Sequence, residues 1–61
     1  MNNIMQLTRL EKRFLICGDA IALSERMGNK AGARIARAEW QQCYNMLGQE
    51  RARELLELKY S

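Results

Sequence analysis

Met27-Gly28-Asn29-Lys30 interrupts a chain that otherwise reads as two long apolar-periodic segments, with no proline in either. Gly28 suits the left-handed position that closes a helix. Asn29 suits the position that opens the next one. Together they predict two helices folded back on each other, an all-α antiparallel hairpin.

The first arm is predicted over about residues 9–27. Thr8-Arg9-Leu10-Glu11 fits the capping box, in which the threonine oxygen accepts the third amide and the glutamate reaches back to the threonine amide. At 100° per residue, Leu10, Phe14, Cys17 and Ile21 form one apolar stripe. Ile16, Ala20, Leu23 and Met27 form a second stripe beside it. Two stripes cover more of the helix than one neighbour can bury. Glu11, Lys12, Asp19, Glu25 and Arg26 fall mainly on the remaining, solvated face.

The second arm is predicted over about residues 31–58, after a turn at 28–30. Ala36, Trp40, Cys43, Tyr44, Leu47, Leu55 and Leu58 share a face. Arg51 lies on that same face, so it must snorkel or meet an acid. Ala31, Ala33, Ala36 and Ala38 make the first half strongly helical and thin, which lets a neighbour approach closely. Gly48 either sits inside a continuous helix, at a cost of roughly 1 kcal/mol relative to alanine, or starts a third helix. The phase of Trp40, Tyr44 and Leu47 carries on into Leu55 and Leu58, which favours continuity.

Folding about residues 29 and 30 brings positions whose numbers sum to about 60 to one level. Cys17 then faces Cys43, Phe14 faces Met46 and Leu47, and Ile21 faces Trp40. A second arm of about 28 residues spans roughly 42 Å against about 30 Å for the first. The end bearing Leu55, Leu56, Leu58 and Tyr60 therefore overhangs. An arm over Ile4 to Leu7 or a second chain must cover it.

Size sets the same requirement. A chain of 61 residues makes one domain and buries only about 60% of the surface its unfolded form exposes. Such folds draw on disulfides, metals or partner subunits. Two cysteines and no histidine cannot supply four zinc ligands. Cys17 and Cys43 read as reduced core residues of a cytosolic protein. Met1 to Thr8 is polar-mixed and does not read as a signal segment. Phe14-Leu15-Ile16-Cys17, the longest strongly apolar run, is far short of a membrane span.

The inventory offers no catalysis and calls for no cofactor. There is no histidine, Asp19 is the one aspartate, and no carboxylate pair is flanked by features that raise one pKa. Glu50, Arg53, Glu54 and Glu57 read as a surface pair network. The net charge of +3 and pI near 9.2 permit an acidic partner without demanding one. Lys30, Arg34 and Arg37 lie on one side of the second arm and, with Arg9, Lys12 and Arg13, could meet phosphates. They carry the rival reading, a small DNA- or RNA-binding regulator. Trp40 and Tyr44, one helical turn apart, fit either an interface anchor or a core pair.

The leading expectation is an interaction protein. The hairpin pairs with a second copy into a four-helix arrangement through Ile16, Leu23, Met27, Trp40, Tyr44, Leu55, Leu56 and Leu58, and binds a further protein.

The Met-Asn start, the amphipathic segment from Glu11 to Met27, Gly28-Asn29 and the second helix with Trp40 resemble the small helical proteins of the lambdoid phage early leftward region, between the exonuclease and excisionase genes. That resemblance implies a regulator acting in the host cytoplasm on host or phage proteins, biasing infection toward lytic growth. Ala20, Ala22, Glu25, Gly28, Ala36 and Trp40 are also similar to the alanine-rich pattern of the AraC-negative-regulator family. The chain departs from that pattern in having no tryptophan after Gly48 and no late cysteine. Both resemblances imply a small helical protein that acts on other proteins.

Overall fold

The computed structural model describes residues 6–60. They form three helices, α1 (Arg9–Arg26), α2 (Lys30–Leu47) and α3 (Gln49–Tyr60), and no strand. The all-α class expected from the sequence is the class observed.

Local chemistry sets the ends of α1. The Glu11 amide donates to Thr8 Oγ1 at 3.1 Å, and the Thr8 amide donates to Glu11 Oε1 at 2.9 Å. The capping box is complete. At the other end Gly28 takes φ +74°. Its amide donates to the Glu25 carbonyl at 3.1 Å, and the Asn29 amide donates to the Ser24 carbonyl at 2.8 Å. This pair of bonds is a Schellman motif. Asn29 then serves both helices, because its Oδ1 accepts the Gly32 amide at 2.9 Å and caps α2.

The second arm is not one helix over 31–58. It breaks at Gly48, which takes φ +93° and ψ 153°, a backbone region essentially reserved for glycine. The Gly48 amide closes α2 on the Tyr44 carbonyl at 2.9 Å, and the Gly48 carbonyl accepts the Ala52 amide at 3.0 Å to begin α3. The reason is tertiary. Turned back, α3 buries Ala52 completely and leaves Leu55 only 1% exposed. A straight extension would have left both in water.

Ion pairs give the helix directions. Arg13–Glu39 at 2.7 Å and Arg37–Glu25 at 2.6 Å join α1 and α2 in reversed sequence order across the Gly28 turn, as an antiparallel pair requires. Arg51–Glu11 at 2.6 Å and Lys59–Asp19 join α3 to α1 in the same sequence order, so these two run parallel. The expected overhang therefore does not exist. Of the segment expected to cover it, Leu7 packs against the core, while Ile4 and Met5 lie outside the described residues.

The core sits at one end of the molecule. Phe14, Cys43, Ala52 and Leu55 form its buried centre, with Leu7, Leu10, Leu15, Trp40, Tyr44, Leu47 and Leu56 packed around it. The register differs from the simple count. Phe14 stacks on Trp40 with ring centroids 5.1 Å apart and meets Tyr44 at 6.5 Å. Met46, expected opposite Phe14, is exposed. The Trp40 indole instead reaches across α1 at Gly18, where a Cβ would stand 3.7 Å from Nε1. Beyond the Lys59–Asp19 pair, toward the Gly28 turn, the described residues place α1 against α2 alone, with Ala33 and Ala36 buried between them. A three-helix end thus tapers to a two-helix end.

Candidate functional site

Two surfaces follow from this taper. The first is apolar. Ile16, Leu23 and Met27 project from α1, and Ile35 and Met46 from α2, each between 53% and 72% exposed. The ion pairs fix which way they face. Around α1, Arg13 lies on the side opposite Glu11 and Leu15, which meet α3. Its partner Glu39 shares a side of α2 with Ile35 and Met46. The Arg13–Glu39 pair therefore marks the side of the hairpin turned away from α3. The second apolar stripe of α1 borders that side, with Ile35 beside it. Met46 stands beyond the ion pair.

Ile16 and Met27 are about 16 Å apart along α1. Arg13 and Glu39 neutralise each other across the strip. Glu39 holds the Arg13 guanidinium above its ordinary pKa, chiefly through the hydrogen bond between them.

The predicted interface residues divide. Ile16, Leu23, Met27 and Leu58 are exposed. Leu55 is not available to a partner, because it is in the core of its own chain. Leu56 is half-buried against that core. Trp40 and Tyr44, with ring centroids 5.4 Å apart, join Phe14 in an aromatic cluster. That placement is the core alternative of the sequence reading. Ile35 and Met46 were missed. Their signal was available: both fall outside the face shared by Ala36, Trp40, Cys43 and Leu47.

The second surface is basic. Lys30, Arg34 and Arg37, with Glu25, Gly28, Asn29 and Ala33, line an open cleft of about 550 Å³ at the hairpin turn. The structure thus brings the three predicted cations to one site. The first turn of α2 carries no acidic residue. Glu25 is the one carboxylate in the lining among the described residues, and it accepts from Arg37 at 2.6 Å.

Away from both surfaces, where α1 meets α3, lies a buried charge that sequence reasoning placed in solvent. Glu11 is buried, and its Oε2 accepts Arg51 Nε at 2.6 Å. The Arg51 hydrogen bond, followed by the Thr8 amide, holds the Glu11 carboxyl below its ordinary pKa. Arg51 is the cation that needed an acid, and Glu11 is that acid. Arg51 also reaches Glu54 at 3.0 Å, so α3 pairs through Arg51–Glu54 and not through the expected Glu50–Arg53–Glu57 spacing.

Cys17 and Cys43 are both buried free thiols. Burial pushes the Cys17 thiol up, with Glu39 and Cys43 adding in the same direction. The arrangement favours the inert thiol over the thiolate. Among the described residues, no group of three or more Cys, Asp or Glu gathers as a metal site. No helix among them is long and apolar enough to cross a membrane.

No protein-family model, curated protein or solved structure matches the chain.

Proposed function

We propose that the protein is a small non-enzymatic regulator that works by protein–protein contact, with the open side of its α1–α2 hairpin pairing against a second copy. The observation that supports this reading is that Ile16, Leu23, Met27, Ile35 and Met46 are all more than half exposed, at helix positions that border the side marked by the Arg13–Glu39 pair. Single exposed apolar residues are ordinary, whereas a contiguous set marks an interaction site.

A second copy fits better than a charged partner because the one ion pair in the strip is already neutralised within the chain. A two-fold interface must be complementary to itself, and a neutral strip meets that condition in a chain of net charge +3. Two hairpins placed face to face give a four-helix arrangement, with α3 of each protomer on the outside.

Magnitudes set the strength. Fully burying a Leu, Ile or Met side chain stabilises by about 1.5–3 kcal/mol. Ten such side chains across the two-fold, already partly covered in the monomer, give a gross gain of about 10 kcal/mol at the low end. Association costs about 4–15 kcal/mol. The dimer is therefore concentration-dependent and not obligate, as suits a protein that also exchanges partners. The likeness to early leftward-region proteins of lambdoid phages supplies the setting: a phage or host protein in the host cytoplasm as the regulated partner.

Sedimentation across a concentration range tests the pairing. Replacing Leu23 by Glu should abolish it without unfolding the chain, because Leu23 lies outside the core. Self-association that survives both Leu23→Glu and Ile35→Glu would place the interface elsewhere.

A further inference from the structure

The charge of this molecule is distributed unevenly. Residues 25–37 hold Arg26, Lys30, Arg34 and Arg37 against Glu25 alone. The remaining six cations are matched by six carboxylates, so the whole formal net charge of +3 belongs to the turn end. Three of those four cations line one cleft.

We propose that this cleft binds the sugar–phosphate backbone of a nucleic acid, with Lys30, Arg34 and Arg37 each facing a phosphate. The reading is independent of self-association, since none of the three belongs to the apolar strip. Their spacing favours a polyanion over a single phosphate group. Positions 30, 34 and 37 follow one edge of α2 and extend about 10 Å along its axis. The cleft is open, and the three cations are all exposed. Nothing there encloses one phosphate with converging buried donors, as recognition of a phosphorylated side chain requires.

The lining also offers little with which to read bases. Its one side-chain amide, Asn29, has its oxygen engaged by the Gly32 amide. Among the described residues, no aromatic side chain lines the cleft for stacking. Binding is therefore governed by phosphate contacts and is indifferent to sequence.

Glu25 makes the proposal specific. It ties up Arg37 and cancels one charge inside the cleft. Releasing Arg37 should tighten binding, an effect that no general attraction to a basic protein predicts at that one position.

The test is fluorescence anisotropy of labelled single-stranded and duplex oligonucleotides of mixed sequence, with the full chain, across a salt series. With Arg37 held by Glu25, the two free cations per protomer give a slope of log affinity against log salt of about −1.4 for a single strand and about −1.8 for a duplex, and freeing Arg37 steepens it by about one. Arg34→Ala should reduce that slope by about one. Glu25→Gln should tighten binding, whereas Glu57→Gln on α3, with the same change in net charge, should not. Circular dichroism confirms that these exposed-site variants stay folded.

Absence of binding at low salt overturns the proposal. Equal tightening by Glu25→Gln and Glu57→Gln also overturns it, by reducing the effect to bulk charge. Retention of a phosphoserine peptide but not of an oligonucleotide would replace the proposed ligand class with another.

Discussion

Glu11 and Arg51 are 40 positions apart in sequence and 2.6 Å apart in the fold. One carboxylate performs two tasks there. Oε1 caps α1 through the Thr8 amide, and Oε2 anchors α3 through the Arg51 guanidinium. The first bond is local and the second spans 40 positions, so Glu11 couples helix initiation to closure of the third helix.

Glu11→Ala should therefore lose both contributions. A cap is worth about 1 kcal/mol, and a hydrogen bond to a charged group about 1.5–3 kcal/mol. Arg51 is only partly covered, which screens its share. The expected loss is about 2–3 kcal/mol in urea denaturation. A loss below about 0.5 kcal/mol would contradict the assigned role.

The same carboxyl sets a pH dependence. Its folded pKa is lowered, so its ionised form favours the fold. That contribution is complete above the unfolded value of about 4.3 and disappears as pH falls through the lower folded value. Stability of the parent chain should fall on acidification below about pH 4. Glu11→Gln should lack that component, so the gap between the two should narrow in acid. A gap that stays constant from pH 7 to pH 2 would rule out the ionised pair.

Gly48 isolates a backbone effect. A Cβ there would meet nothing within 4 Å, yet φ is +93°. Gly48→Ala should cost about 1–3 kcal/mol through conformation alone. A D-alanine at position 48, accessible by chemical synthesis, should recover that loss because its preferred φ is positive. If both enantiomers destabilise equally, crowding and not dihedral angle is responsible.

The thiols offer an independent check on packing. Cys17 and Cys43 are buried, and burial raises the Cys17 pKa. Alkylation by iodoacetamide at pH 8 should be slow and should accelerate with urea in step with unfolding. Labelling at the rate of a free peptide thiol would show that the α1–α2 seam is open.

These expectations trace back unevenly to the sequence. The start of α1 and the Gly28-Asn29 turn were legible because their bonds are local: a capping box spans three positions, and a Schellman motif spans five. The second break was not legible. Leu55 and Leu58 continue the phase of Trp40 and Tyr44, so periodicity alone cannot separate a straight helix from one that turns back. The clue lay in a conflict of charge. Arg51 falls on the apolar face and so needs an acid; the straight register already brings it level with Glu11, but spacing alone did not show that Glu11 turns from the solvated face toward α3 to meet it. The exposed strip was half legible. Ile16, Leu23 and Met27 form a stripe that the core does not use, whereas Leu55 looked exposed only because α3 was drawn straight. The basic cleft was legible as spacing, since positions 30, 34 and 37 share a helix edge, but its concavity and the grip of Glu25 on Arg37 needed the fold.

Core and interface separate cleanly under mutation. Phe14 is fully buried and stacked on Trp40. Phe14→Ala should cost about 3–5 kcal/mol, whatever the protein concentration. Ile16→Glu and Leu23→Glu should leave the unfolding free energy of the dilute chain within about 0.5 kcal/mol, as exposed substitutions do.

The most direct test of the interaction surface is analytical ultracentrifugation of the parent chain and Leu23→Glu from low to high micromolar concentration. The parent should rise from one to two copies of the 7.1 kDa chain, while the variant stays folded and monomeric throughout. A well-folded parent that remains monomeric at high micromolar concentration would contradict that expectation.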